Sequence, residues 1–150
     1  MGGICIFQET GSETATVTVT LVVTQDCRIV APPVAFGSAP LAGSFASVSQ
    51  AVAVDCTKGT AYKVAFTTGS GGASRPWREM NDGAGRKLQY NLYRPDGTTI
   101  WDESNPLVAS TAGTGATTPA QFYPYVARIN PAQSVPAGAY SDVVSVVVTF

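Results

Sequence analysis

The sequence predicts a single all-β domain built as a β-sandwich, and three observations support this prediction. Small and β-branched residues dominate, with 20 Ala, 18 Val, 17 Thr and 15 Gly among 150 residues, and Val and Thr favour strands. Turn residues separate about seven short strand-like segments, as in a sandwich of two sheets. No segment offers ten residues with the 3.6-residue periodicity of a helix.

The first predicted strand covers residues 14–24, here called the N-terminal segment, in which apolar residues and threonines alternate. Its apolar positions, here called the apolar stripe, are Ala15, Val17, Val19, Leu21 and Val23. A period of two over this length predicts a strand with one buried face. An ordinary first strand would pack on its own domain, whereas an extension would need a groove on another molecule. The spacing leaves both arrangements open.

Three further strands are predicted in the first half of the chain. The strand at residues 27–36 contains two adjacent prolines, which exclude it from the centre of a sheet, so it lies at an edge or changes sheets there. Residues 47–56 alternate again and predict a strand with one buried face. After a turn at residues 57–60, residues 62–66 are predicted to form the hairpin partner of that strand.

Two long polar stretches are predicted to be surface loops without a catalytic role. They cover residues 69–87 and 102–118 and are rich in Gly, Ser, Asn and Asp. Their carboxylates are expected to be solvated, namely Glu79, Asp82, Asp102 and Glu103. Between them, residues 88–101 predict two strands joined by a tight turn.

The last two predicted strands lie near the C-terminus. Residues 119–130 form a strand that Pro124 interrupts, and residues 140–150 form the final strand. One face of this final strand carries Tyr140, Val144, Val146, Val148 and Phe150. Leaving such an apolar face in water is unfavourable, so the sequence predicts that it borders the core.

The spacing of the cysteines favours a structural disulfide between Cys27 and Cys56. Each lies at the edge of a strand-like segment, while Cys5 stands alone near the N-terminus. The chain has no His and no Cys-X-X-Cys motif, so a zinc site is poorly supported. Two buried free thiols in a cytosolic protein are the alternative.

Composition argues against several classes of function. The net charge is −1 and no run of Lys or Arg occurs, which argues against a nucleic-acid partner. The absence of His removes Ser-His-Asp and Cys-His activation of a nucleophile, together with the commonest transition-metal ligand. We therefore expect no enzyme activity, no cofactor and no metal site. No stretch of 18 apolar residues predicts a membrane span.

Four aromatic residues leave a carbohydrate-binding module open as an alternative. They are Trp77, Trp101, Tyr123 and Tyr125. On one exposed surface such rings would form a platform for stacking sugars. Packing inside the sandwich or at its edge is the competing interpretation.

Several motifs follow one another in a recognisable order. They are the alternating segment before Cys27, Val52-Ala-Val-Asp-Cys56-Thr-Lys-Gly-Thr60-Ala-Tyr62, Leu88-Gln-Tyr-Asn-Leu-Tyr93, Thr98-Thr-Ile-Trp101 and Val135-Pro-Ala-Gly-Ala-Tyr-Ser-Asp142. From about residue 14 to its last residue, the chain resembles the spore coat protein U domain family, which includes archaic (Csu-type) chaperone–usher pilus subunits. Residues 1–13 have no counterpart in this resemblance.

The resemblance implies an incomplete immunoglobulin-like β-sandwich that a donor strand from a neighbouring subunit completes. Residues 1–24 would be an N-terminal extension with the donor strand at about 14–24, and residues 25–150 would be the pilin domain. The apolar stripe would supply the donor positions, and the family disulfide would join Cys27 and Cys56. The strand at residues 140–150 would border the acceptor groove.

The implied function is that of a structural pilus (fimbrial) subunit that polymerises by donor-strand exchange into an extracellular adhesive or biofilm fibre. Its partners would be copies of itself or homologous pilins in a head-to-tail filament, with a periplasmic chaperone and an outer-membrane usher during assembly. Secretion through the periplasm to the cell surface is expected, although the first residues do not form an intact secretory signal. The alternative is a self-complemented, secreted spore-coat-type protein that stays monomeric.

Overall fold

Two antiparallel β-sheets form the computed structural model of the chain, which describes residues 13–71 and 75–150. The strands of these residues are β1 (Cys27–Val30), β2 (Val48–Cys56), β3 (Lys63–Phe66), β4 (Arg78–Asn81), β5 (Lys87–Tyr93), β6 (Leu107–Val108), β7 (Gln121–Ile129) and β8 (Val146–Thr149). The larger sheet has the order β1-β2-β7-β5-β4, and the smaller has the order β6-β3-β8. The all-β prediction is confirmed. Cys5, which was predicted to stay unpaired, lies outside the described residues.

The described ranges contain one short helix, the 3₁₀ turn Ala42–Ser44. None of their helices has the length and apolar character needed to cross a bilayer.

The hydrophobic core lies between the sheets, because alternate residues of three central strands point to the same side. Their buried apolar side chains are Val52, Val54, Leu88, Tyr90, Leu92, Tyr125, Ala127 and Ile129. Trp101 has no exposed surface, and its indole Nε1–H donates to the carbonyl oxygen of Val64 at 2.8 Å. Its ring meets the ring of Phe66 edge-on, with 4.8 Å between centroids. Trp101 therefore bridges the two sheets.

The hairpin predicted between residues 47–56 and 62–66 is wrong. The first of these segments is β2, and both of its edges are occupied, by β1 and by β7. The second contains β3, which pairs with β6 and β8 in the smaller sheet. The turn at residues 57–60 thus carries the chain from one sheet to the other.

Strand β7 continues through Pro124, contrary to the predicted interruption. It pairs with β2 along residues 121–127 but with β5 only along residues 126–129. At Pro124 the strand therefore has a neighbour on one side only. A proline, which has no N–H to donate, is tolerated at such a locally open edge.

The predicted surface loop at residues 69–87 contains strand β4 and a fully buried arginine. Arg78 has no exposed surface, and its guanidinium donates to the side-chain oxygen of Asn91 at 2.5 Å and to the carbonyl oxygen of Trp101 at 2.9 Å. Burial lowers the pKa of this guanidinium. A buried arginine is compatible with folding here because its donors find carbonyl and amide acceptors.

The second predicted loop, at residues 102–118, is also partly wrong. It contains strand β6, and its Asp102 is only 2% exposed rather than solvated. Arg75 donates two hydrogen bonds of 2.8 Å to this carboxylate. The partner lies 27 positions away, so the local sequence gave no sign of it.

The predicted final strand at residues 140–150 is divided between the two sheets. Ser141 forms an antiparallel bridge with Asn81 of β4 in the larger sheet. Further on, the carbonyl oxygen of Ser145 accepts a bond of 3.0 Å from the Thr67 amide, and β8 then pairs with β3. The segment therefore crosses the open side of the sandwich, which creates the groove described next.

Candidate functional site

An apolar groove of about 670 Å³ opens between two edge segments of the sandwich. One side is residues 31–37, which follow β1 and are here called the first wall; the other is residues 138–146, here called the C-terminal wall. The floor consists of core side chains, namely Phe66, Met80, Leu88, Tyr90, Leu92, Tyr125 and Ile129. The groove thus reaches down to the hydrophobic core, although its floor side chains, apart from the half-buried Met80, are less than a tenth exposed.

The first wall contains no strand, turn or bend and has few backbone hydrogen bonds. Among the described residues, residues 31–37 make no backbone–backbone hydrogen bond, although the side chain of Gln50 donates to the carbonyl oxygen of Pro33 at 3.1 Å. The adjacent prolines end the ladder of β1, because a proline has no N–H for it. Val34 and Phe36 point inward and pack against the core. The first wall therefore offers backbone groups to an additional strand.

The C-terminal wall is bonded on one side only. Strand β8, into which it leads, is an edge strand that pairs with β3 alone. Of the residues predicted to border the groove, four are half-buried against the core: Tyr140, Val144, Val146 and Val148. The fifth, Phe150, is 55% exposed in the single chain, and the residues that line the groove include Tyr140, Val144 and Val146 but neither Val148 nor Phe150. Phe150 follows the last residue of β8 and is not held by the ladder.

Asp142 is a polar residue of the groove that the sequence prediction missed. Its carboxylate accepts hydrogen bonds from the Tyr90 hydroxyl, from the Ser70 amide at 2.8 Å and from the Ser70 hydroxyl at 2.5 Å. Burial, together with the bond to Asp142, raises the pKa of Tyr90, which keeps its hydroxyl protonated as a donor. The backbone of Gly69 has a φ of +86°, and a Cβ there would collide with this carboxylate. Asp142 thus fastens the C-terminal wall to the sandwich.

The N-terminal segment lies outside both the sandwich and the groove. Residues 13–26 contain no strand, turn or bend. Within the apolar stripe, Val17 is 81% exposed, Val19 and Leu21 are each 86% exposed, and Val23 is 73% exposed. Ala15 is exposed as well. The alternation predicted a strand, yet among residues 13–71 and 75–150 no strand pairs with the segment.

The predicted disulfide joins Cys27 and Cys56, with 2.03 Å between the sulfur atoms. It connects the first residue of β1 to the last residue of β2, which also pair directly in the sheet. Cys56 is buried, whereas Cys27 is half-buried because it lies on the edge strand. The bond therefore fixes the base of the N-terminal segment to the body of the domain.

The structure favours core packing over the aromatic platform that the sequence left open as an alternative. Trp101 and Tyr125 are core residues and have no surface on which a sugar could stack. Tyr123 is half-buried, and its hydroxyl lies 2.5 Å from the hydroxyl of Tyr62. Trp77 is half-buried in a different part of the chain. In the described ranges, no group of three or more His, Cys, Asp or Glu side chains is arranged to hold a metal ion.

These features define an immunoglobulin-like β-sandwich that is open along one side. The sequence model of the Spore Coat Protein U domain family matches residues 13–147, and the chain belongs to this family. The resemblance expected from the motifs is confirmed. No curated protein matches the chain.

Among solved structures, the chain is similar to one chain of the CsuC–CsuE chaperone–tip adhesion subunit pre-assembly complex, from the archaic chaperone–usher Csu pili of Acinetobacter baumannii. The two are 27% identical, with a TM-score of 0.64. The match covers 85% of this chain but only 40% of the longer chain in that complex.

Proposed function

We propose that this protein is a structural subunit of a chaperone–usher-type pilus that polymerises by donor-strand exchange. In this proposal, the N-terminal segment of one copy enters the apolar groove of the next. One observation carries it: the same chain has an exposed apolar stripe and an open apolar groove, and no other part of the described residues covers either of them. A donor strand would cover both.

The dimensions of the segment and the groove agree. The apolar stripe extends over eight residue steps, and the C-terminal wall extends over the same number. An extended chain of this length measures roughly 26 Å at about 3.3 Å per residue. One donor strand is therefore long enough to reach along the whole wall, with its alternate side chains facing the floor of the groove.

Hydrophobic burial is a major favourable contribution to this contact. Burying three Val and one Leu of the stripe contributes about 6–10 kcal/mol before the cost of ordering the segment. The unpaired backbone of the first wall and the free edge of β8 supply hydrogen-bonding partners on both sides of the inserted strand. The opposite face of the segment would stay towards solvent, since all its residues but Val22 are threonines.

The proposed contact is head-to-tail and joins two different surfaces. Repeated without ring closure, such a contact produces an open filament. The partners proposed here are copies of this chain or homologous pilins, with a periplasmic chaperone and an outer-membrane usher assisting assembly. Export through the periplasm would also provide oxidising conditions for the disulfide. The end product would be an adhesive or biofilm fibre at the cell surface.

A matched pair of substitutions in the N-terminal segment tests this function. Val19→Asp places a charge on the stripe and should abolish fibres in electron micrographs, because an unpaired charge is costly inside the groove of the next copy. Thr18→Asp adds the same charge on the opposite face and should leave fibre formation intact. Fibres of normal length from Val19→Asp would contradict the proposed function.

A further inference from the structure

We propose that the junction at residues 24–27 is built to keep the N-terminal segment out of the groove of its own chain. This inference rests on the proposed function, since it concerns which groove the segment can enter. The segment continues directly into the edge strand β1, which in turn leads into the first wall. Closure onto its own groove is therefore the nearest competing arrangement.

A simple hairpin would bring the segment into register with its own groove. With Gln25 and Asp26 as a two-residue loop, Val17 would lie opposite Val34, and Ala15 opposite Phe36. Directly opposed residues of an antiparallel pair lie on the same face of the sheet. Because Val34 and Phe36 point towards the core, the apolar stripe would also point inward. The register thus does not by itself prevent self-closure.

The hydrogen bonds at the junction do oppose it. A two-residue hairpin closes when the carbonyl oxygen of Thr24 accepts from the amide of Cys27. In the structure, the Thr57 hydroxyl lies 3.3 Å from that carbonyl oxygen and 3.3 Å from the carbonyl oxygen of Asp26, and it can donate to either; the Cys27 amide donates to the Asp26 carboxylate at 2.8 Å. Both groups needed to close the hairpin thus have another partner within hydrogen-bonding distance.

Thr57 also forms two hydrogen bonds with Asp26, which precedes Cys27 in the chain. Its hydroxyl accepts from the Asp26 amide at 2.9 Å, and its own amide donates to the Asp26 carbonyl oxygen at 2.8 Å. The neighbouring disulfide fixes Cys27 next to Cys56, which precedes Thr57 in the chain. Residue 26 is therefore attached to the end of β2, and the chain continues outward without a turn.

The residue types at the junction add to this effect. The favoured two-residue hairpin turns require positive φ values, which Asn-Gly and Asp-Gly sequences adopt readily. Neither Gln25 nor Asp26 is a glycine. In the described ranges, every residue with a positive φ is a glycine. The junction thus disfavours the turn that self-closure needs, which leaves the segment to a second copy.

Replacing the junction tests the inference. The variant Gln25→Asn/Asp26→Gly/Thr57→Ala introduces a favoured turn and removes the Thr57 hydroxyl. After refolding, size-exclusion chromatography with light scattering should show a monomer, with the monomer fraction raised at least severalfold over the unmodified chain. Its melting temperature should not depend on protein concentration. Assembly at the level of the unmodified chain would overturn the inference.

A second variant shows whether the monomer is closed on its own groove. Adding Val19→Asp to the junction variant should lower the melting temperature clearly, because the charge would enter the groove of the same chain. Adding Thr18→Asp should leave the melting temperature unchanged. A monomer that responds equally to both additions would mean that the junction changes had only blocked assembly, and would overturn the inference.

A peptide experiment separates this inference from the proposed function. The full chain with Val19→Asp keeps an open groove, and a synthetic peptide of residues 13–24 should bind it, whereas the same peptide with Val19→Asp should not. Failure of the unmodified peptide to bind would contradict both the proposed function and the inference. If the peptide binds but the junction variant assembles normally, the proposed function is supported and only the inference about the junction is contradicted.

Discussion

The N-terminal segment and the segment at residues 140–150 carry the same two-residue alternation but lie in different environments. Val19 is 86% exposed, whereas Val144 is half-buried against the core. The difference comes from partners: residues 140–150 bond to β3, β4 and the loop at residues 67–70, while the N-terminal segment pairs with no strand. Alternation therefore identifies a strand with one apolar face, but it does not identify the molecule that covers the face.

The largest effect on the folded domain is expected from removing the disulfide between Cys27 and Cys56. The double variant with serine at both positions should lower the free energy of unfolding by about 3–4 kcal/mol, since the bond closes a loop of roughly 30 residues. Urea unfolding of the purified variant measures this change. A loss below about 1 kcal/mol would show that the bond does little for the fold.

The next largest loss of stability is expected from a charge introduced into the C-terminal wall. Val144→Asp places a carboxylate against the core and should lower the free energy of unfolding by about 2–3 kcal/mol. Val143→Asp is the control, because that side chain is 74% exposed, and it should change stability by less than about 0.5 kcal/mol. Equal effects of the two changes in urea unfolding would contradict the inward orientation of the even-numbered residues.

Loss of the hydroxyl that bonds to Asp142 should have a smaller effect. Tyr90→Phe removes this donor and keeps the ring, and we expect a loss of about 1 kcal/mol in the free energy of unfolding. Tyr140→Phe is a suitable control, because its hydroxyl bonds to the carbonyl oxygen of Pro136 at an exposed position. A larger loss for Tyr140→Phe than for Tyr90→Phe would contradict the role given to Asp142.

The smallest effect is expected in the N-terminal segment itself. Val19→Asp should change the unfolding free energy of the isolated chain by less than about 0.5 kcal/mol, because the side chain touches little of its own domain. The same substitution is expected to abolish fibres. Val19→Asp should therefore remove fibre formation while leaving the stability of the isolated chain almost unchanged. A substantial loss of monomer stability would mean that the segment packs on its own domain in solution.

Local sequence patterns correctly predicted features of individual strands, such as which residues face inward and where a strand ends. The inward residues of β2 and β5 follow their alternation, and the double proline marks the point where β1 ends. The partner of β3, by contrast, depends on which sheet the chain enters after the turn at residues 57–60, and no local pattern records that choice. Contacts between distant residues decide it.

Buried polar residues were the other part that the sequence left unpredicted. Arg78 and Asp102 lie in the two segments predicted to be surface loops, and their partners Asn91 and Arg75 stand 13 and 27 positions away in the chain. Asp142 had one available sign, since it shares the even-numbered face of Tyr140 and Val144. Because its neighbours on that face are apolar and point inward, Asp142 could have been predicted to point inward as well.

The central claim is that the N-terminal segment of one copy occupies the groove of another, and mixing experiments test it most directly. A Val19→Asp copy keeps its groove but cannot donate, so added to the unmodified chain it should end each growing fibre. Mean fibre length in electron micrographs should then fall as its fraction rises, while equal amounts of Thr18→Asp leave the length unchanged. Fibre length that does not respond to Val19→Asp, or that falls equally with both variants, would contradict the account.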